Sequence, residues 1–241
     1  MSFLLTFLAS ISTLFGSFLI FIKKKTDNII ICSLAFAAGV MITVSITDLI
    51  PESYNLLTSI YNNFYSILLI LIFINIGIII SMIIDKYLPN NNDLYRVGIV
   101  SMIAIILHNV PEGVITFITS SKDITLGITL ALAIAAHNIP EGITISLPIY
   151  YATGNRKKAL FYTFISGISE FFGAIIAFLF LKPIVNNTNL GLLFSVIAGI
   201  MIHISFYELL PLSFKYKKNK LSILFLLLGS LFIIITHFIF N

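Results

Sequence analysis

The chain has 241 residues, 59% hydrophobic and only 10% charged, with a formal net charge of +4. A soluble domain carries about 25% charged residues, so the composition excludes one and describes an all-α integral membrane protein, whose excess positive charge marks loop placement rather than nucleic-acid binding. The single Cys32 excludes a disulfide framework and a cysteine-rich metal site.

About 20 apolar residues cross ~30 Å of hydrocarbon. Eight transmembrane helices are predicted, over 2–22, 30–52, 64–84, 97–120, 125–151, 159–181, 190–213 and 221–240. The first is followed, not preceded, by Lys23-Lys24-Lys25 and shows no small-residue cleavage pattern, so it reads as a span and not a signal peptide. Span 2 carries Asp48 and Glu52 near its outer end, four apart on one face. A metal-collecting entrance and a pair of water-facing interfacial carboxylates both fit them. The loop after span 3 contains Asn90-Asn91-Asn92 without a histidine, so it reads as a polar turn. Spans 4 and 5 carry His108-Asn109-Val110-Pro111-Glu112-Gly113 and His137-Asn138-Ile139-Pro140-Glu141-Gly142, and span 6 carries Glu170. Span 7 holds His203, for which packing and transport are equally good readings, and Glu208, suited to an exit path. His237 near the end of span 8 reads as interfacial. No segment is long and polar enough to be a soluble domain, so residues 1–241 form one transmembrane unit.

The basic residues check the count. Loops 1–2, 3–4, 5–6 and 7–8 hold twelve of the fourteen Lys and Arg, and the other side holds Lys122 and Lys182. Seven or nine spans would scramble this alternation. The positive-inside rule then places the basic loops in the cytoplasm and both termini outside the cell membrane.

The two His-Asn-x-Pro-Glu-Gly strings lie on adjacent, oppositely directed spans. A fainter match relates Ala38–Ile42 and Leu49–Pro51 to Ala198–Ile202 and Leu209–Pro211, at one constant offset that aligns Asp48 with Glu208 and Thr43 with His203. Spans 1–3 are therefore expected to mirror spans 6–8 around the central pair 4–5, a 3+2+3 inverted repeat of the kind found in secondary transporters.

His108 and Glu112 share a helix face, as do His137 and Glu141. Each histidine lies roughly 16 Å into its span, near the bilayer midplane. A bare carboxylate at that depth costs about 2.5–3.5 kcal/mol, and no Lys or Arg falls inside the predicted spans to offset it. A cation from outside would. Imidazole with carboxylate suits zinc, iron or manganese, and the lack of thiolate argues against copper(I). Pro111 and Pro140 release the carbonyls of Leu107 and Ala136 and are expected to kink their helices, while Gly113 and Gly142 permit close helix approach. With Glu170, three carboxylates, two imidazoles and two amides can converge on one site, or on two sites bridged by Glu112 and Glu141.

These residues carry a resemblance. HNVPEGVITF at 108–117, HNIPEGITISLPI at 137–149 and SGISE at 166–170, supported by AGIMIHISFYELLPL at 198–212, make the chain similar to the ZIP (Zrt/Irt-like) metal transporters, in particular the bacterial ZupT/GufA-like branch. The resemblance implies import of a divalent metal through a binuclear midplane centre, with no separate cofactor. His108, Glu112, His137 and Glu141 would form one metal site. Asn109, Asn138 and Glu170, with Glu112 and Glu141 bridging, would form the other. It also implies a broad metal range of zinc, iron, manganese and cobalt. The loop between spans 3 and 4, His-rich in many relatives, is short here and has no His. An intramembrane metal-dependent hydrolase is the rival reading, weakened by the absence of HExxH and by the mirrored second copy. A haem protein liganded by His108 and His137 fits the adjacent carboxylates poorly. Metal ions and the lipid bilayer are the expected partners, and the oligomeric state, a homodimer included, stays open.

Overall fold

A computed structural model describes residues 1–22, 26–87, 92–180 and 186–240. Lys23–Lys25, Asn90, Asn91 and Lys182, which entered the loop arguments, lie outside the described residues. Among the described residues all regular structure is helical, and eight helical stretches are long and apolar enough to cross a membrane. They are α1 (Ser2–Gly16) with a 3₁₀ turn over Ser17–Phe21, α2 (Asp27–Val44) joined by a π turn (Ser45–Leu49) to α3 (Ile50–Thr58), and α4 (Asn63–Tyr87). Then follow α5 (Asp93–Lys122), α6 (Ile124–Thr153), α7 (Arg156–Phe180), α8 (Asn187–Ile204) joined by a π turn (Ser205–Leu209) to α9 (Leu210–Lys215), and α10 (Asn219–Phe240).

Several helices outrun their predicted spans because polar ends extend past the apolar run. The second reaches Thr58, past Glu52 and Asn55, and α5 begins at Asp93. Arg96 therefore sits in the first turns of α5 instead of a loop. Pro51 and Pro211 fall in the first turns of α3 and α9, where a missing N–H costs least.

A single residue, Asp123, joins α5 to α6. Its N–H donates to the Thr119 carbonyl (2.9 Å), closing α5, and its Oδ1 accepts from the N–H groups of Thr125 (2.8 Å) and Leu126 (3.1 Å), opening α6. So short a connection forces antiparallel neighbours. Asp123 stands almost midway along the chain between His108 and His137, so the hairpin brings both to one depth. Both helices run on as single elements through Pro111 and Pro140. Gly154, in the left-handed region at φ 67°, ends α6.

The helices pack as two groups. α1, α5, α6 and α7 contact one another extensively; in the second group α2–α3 and α8–α9 pack together, α10 lies against α2 and α4 against α8. The largest apolar core lies in the second group around Leu34, Met41, Ile197 and Met201, and reaches α5 through Val97, Val100 and Ala104. A second core, around Ile105, Ile145 and Ile149, lies in the first group. The start of α1 and the end of α5 share one face, where Ser121 Oγ donates to Ser2 Oγ at 3.2 Å. The opposite face carries Arg96, Arg156–Lys158, Lys215, Lys217 and Lys218.

Candidate metal centre

The first helix group encloses a polar cluster that an apolar core would not tolerate alone. His108, Asn109, Asn138, Glu141 and Glu170 are at most 1% exposed, and Glu112 and His137 are 7% and 8% exposed. His137 Nε2 lies 3.0 Å from Glu112 Oε1, across the α5–α6 hairpin. His108 Nε2 lies 3.1 Å from the same oxygen and 3.6 Å from Glu141 Oε1. Ligating atoms of His108, Glu112 and His137 all fall within 4.8 Å of one another. A zinc ion with bonds of about 2.0–2.2 Å can bridge such a spread.

The amides adjoin this cluster on its α7 side. Asn138 Nδ2 donates to Glu170 Oε2 (2.8 Å) and to the Ala9 carbonyl of α1 (3.2 Å), and Asn109 Nδ2 donates to the Ser166 carbonyl (3.1 Å). Each amide thus donates to a neighbouring helix and keeps its acceptor. Asn109 Oδ1, Asn138 Oδ1, Glu170 Oε1, Glu112 Oε2 and both Glu141 oxygens are buried without a hydrogen-bond partner among the described residues. An unpaired buried acceptor costs about 1–3 kcal/mol, more when charged. Orphans this dense, nearly all acceptors, call for a cation.

Close helix contact makes the convergence. A Cβ on Gly113 would stand 1.7 Å from the Glu170 carbonyl oxygen, and one on Gly142 1.9 Å from that of Thr13. Glycine at these two positions lets α7 press on α5 and α1 press on α6, so Glu170 reaches Asn138.

A family model described as ZIP Zinc transporter matches residues 91–237. The chain is 41% identical to "Zinc transporter ZupT" of Streptococcus mutans, over 99% of this chain and 97% of that protein. It is 38% identical to the protein of the same name from Clostridium perfringens, over 100% and 96%, and 40% identical to that from Campylobacter jejuni, over 94% and 91%. The chain belongs to the ZIP family. It is a multi-pass membrane protein, as its eight spanning-length helices require, and the resemblance read from its motifs holds over nearly its whole length.

The remaining polar residues of this ZIP chain take up distinct places. Asp48 and Glu52 line a cavity of about 570 Å³ whose wall also includes Glu112 and His137 of the centre. Thr119 and Leu130, near the α5–α6 turn, line it too, so it extends from the centre toward the face bearing the N-terminus. His237, read as interfacial from its position, belongs to this cavity: its Nε2 lies 2.5 Å from Asp48 Oδ1. Only the adjacency of α10 to the π turn after α2 reveals that pairing. His203 packs between helices, its Nδ1 2.9 Å from Ser81 Oγ and its ring stacked on Tyr207 at 4.7 Å. Glu208 lines a separate cavity of about 230 Å³ on the basic side, together with Arg96 and Asp93. There Arg96 bridges Asp85 of α4 and Glu208, 3.2 Å from the latter. In the sequence Arg96 counts only among the basic residues between spans 3 and 4.

Proposed function

We propose that this ZIP protein imports divalent transition metal, zinc foremost and also iron, manganese and cobalt, across the cell membrane into the cytoplasm. The observation that carries the reading is the mirrored pair of buried His–Glu faces, rich in unpaired acceptors, reached by a cavity from the N-terminal face. The names of the relatives support zinc, and the imidazole–carboxylate set suits the other metals. The same names describe transporters, and a hydrolase finds no support in them.

The hydrated ion enters past Asp48, Glu52 and His237 and sheds water as Glu112 and His137 replace it. His108 and Glu141 complete one site. Asn109, Asn138 and Glu170, with Glu112 and Glu141 bridging, hold a second ion. The twelve basic residues at the alternate span junctions support the cytoplasmic assignment of their face and external termini. Release follows when the metal-bearing group α1, α5, α6, α7 moves against the other four spans and the centre faces Glu208.

The chain is built as one unit with a 3+2+3 inverted repeat. Two observations support this. The π turns holding Asp48 and Glu208 are separated by the same offset as the sequence match. Ser53 Oγ donates to the Gly191 carbonyl (2.6 Å) and Ser213 Oγ to that of Ile31 (3.3 Å), the same two positions exchanged between halves.

Metal uptake by proteoliposomes tests the function. Glu141→Ala should abolish zinc uptake while the protein remains inserted, and a competition panel with iron, manganese, cobalt and cadmium sets the range. Normal uptake by the Glu141→Ala variant refutes the centre.

A further inference from the structure

We propose that Arg96 is a latch that keeps the protein closed toward its basic face, by tying the metal-bearing helix group to the other group. The proposal rests on the reading above, in which those two groups move against each other. Arg96, in the first turn of α5, belongs to the metal-bearing group. Its partners, Asp85 of α4 and Glu208 of the π turn after α8, belong to the other. Arg96 Nε donates to Asp85 Oδ1 at 2.6 Å and Nη2 donates to Oδ2 of the same carboxylate, a two-point fork. Nη2 also reaches Glu208 Oε1 at 3.2 Å. One turn back on α5, Asp93 Oδ2 accepts from Lys215 Nζ of α9 at 2.5 Å. Among the described residues, the ion pairs between the two groups all lie at this end of α5.

The two faces of the molecule are unequal in this respect. Asp48 and Glu208 sit in the two π turns that the repeat aligns, yet they pair differently. Asp48 takes His237 of α10, inside its own group. Glu208 takes Arg96, across the boundary. Toward the N-terminal face the groups part around the cavity of about 570 Å³, whose wall combines Asp48, Phe194 and Ile233 with Glu112, Thr119 and His137. Toward the basic face Val97, Val100 and Ala104 of α5 are each 2% exposed and pack in one cluster with Met201, Ile204 and Leu209. The cavity beside Arg96 is lined by no residue of the metal centre. The centre is thus open to one face and sealed from the other, and the cross-group ion pairs cap the sealed side.

Turning the centre toward Glu208 requires this apolar packing to part and Arg96 to leave its carboxylates. A state that keeps those contacts is favoured, over one that lacks them, by their free energy. Arg96 matters more than its neighbour pair. Asp93 and Lys215 are both more than half exposed, so water screens them. Arg96 and Asp85 are about a quarter exposed, and Glu208 is a tenth exposed. The planar guanidinium meets two carboxylates at once, a geometry that an ammonium reproduces only in part.

Thiol accessibility of the full chain in membrane vesicles tests the latch, in a Cys32→Ser background with one reporter cysteine at a time. Ser101→Cys reports the sealed side. Ser101 lies seven residues before His108, two turns toward the basic face, and it is fully buried with no hydrogen-bond partner for its hydroxyl, so the exchange removes no bond. Thr119→Cys reports the open cavity. A charged, membrane-impermeant methanethiosulfonate is applied to each face in turn, without metal. With Arg96 present, Ser101→Cys should be protected and Thr119→Cys reactive. Arg96→Ala should speed modification of Ser101→Cys from the basic face by about tenfold and slow that of Thr119→Cys from the opposite face, with Arg96→Lys intermediate. Asp85→Ala/Glu208→Ala should act as Arg96→Ala does, and adding Arg96→Ala to that pair should change the rates little further. Gel filtration in detergent verifies folding. If Arg96→Ala does not fold, Arg96→Lys and the double acid variant decide. Ser101→Cys already reactive from the basic face, rates unmoved by the Arg96 variants, or a rise at both reporters (general loosening) would each overturn the latch. The rates are read without transport, so a wild-type chain that takes up no metal refutes the import reading alone, and unmoved rates with intact uptake refute the latch alone.

Discussion

His137 on α6 approaches Glu112 on α5 more closely, at 3.0 Å, than Glu112 is approached by His108 one turn away on its own helix, at 3.1 Å. Glu112 therefore joins the two helices, whereas Glu141 pairs with His108, at 3.6 Å, and with no other histidine among the described residues. The doubled motif is symmetric in sequence, and its two carboxylates are not equivalent in space.

Unequal consequences are expected from neutralising them. Losing even an outer partner of a metal ligand costs about 10–100-fold. Glu112→Gln should therefore lower the initial rate of zinc uptake by at least about 100-fold, and Glu141→Gln by less. Proteoliposome flux at matched protein content checks the order, and a milder Glu112→Gln would contradict the bridging role.

The approach of α7 to α5 depends on one hydrogen atom. In Gly113→Ala the new methyl meets the Glu170 carbonyl oxygen and carbon, at 1.7 and 2.7 Å before relaxation. Overpacking of this kind costs about 1–3 kcal/mol. The variant should melt several degrees lower in detergent and lose uptake as Glu170 is pushed from Asn138, and Gly142→Ala should behave alike through α1. Thermal unfolding followed by fluorescence-detected gel filtration measures the shift.

On the cavity wall proposed as the entrance, Asp48 and His237 face each other at 2.5 Å. Replacing either, as Asp48→Asn or His237→Ala, should raise the zinc concentration for half-maximal uptake several-fold and leave the maximal rate nearly unchanged. A fall in maximal rate at unaltered half-saturation would remove these residues from the entry path.

On the basic side, Arg96 ties α5 to Asp85 of α4 and Glu208 after α8. Arg96→Ala leaves those carboxylates facing each other. Since Arg96 and Asp85 are about a quarter exposed, solvent screening holds the expected loss to about 1–2 kcal/mol. Arg96→Lys should recover only part of it, because an ammonium lacks the planar fork. Chemical denaturation of both variants, with Arg96→Ala/Asp85→Ala to complete a cycle, should show a smaller loss in the double variant than in Arg96→Ala.

Much of the centre was legible in the chain. His108 with Glu112, and His137 with Glu141, follow from a four-residue spacing on a helix, and their common depth follows from distances along each span. Glu170 stood out as an acid within an apolar run. His237 did not, because its carboxylate partner lies far off near the other end of the chain and no local pattern pairs α10 with the turn after α2. Arg96 was hidden by a boundary, since α5 begins at Asp93, ahead of its apolar run.

The sequence by itself determined that eight spanning-length helices form and which residues share a helix face, because length, hydropathy and the 3.6-residue period are local properties. Only the tertiary structure decided that Glu112 links the hairpin, that Asn138 spends its donors on Glu170 and Ala9, and that Asp48 meets His237. A helix presents every face with equal clarity in sequence, and side-chain packing between helices selects which of them meet.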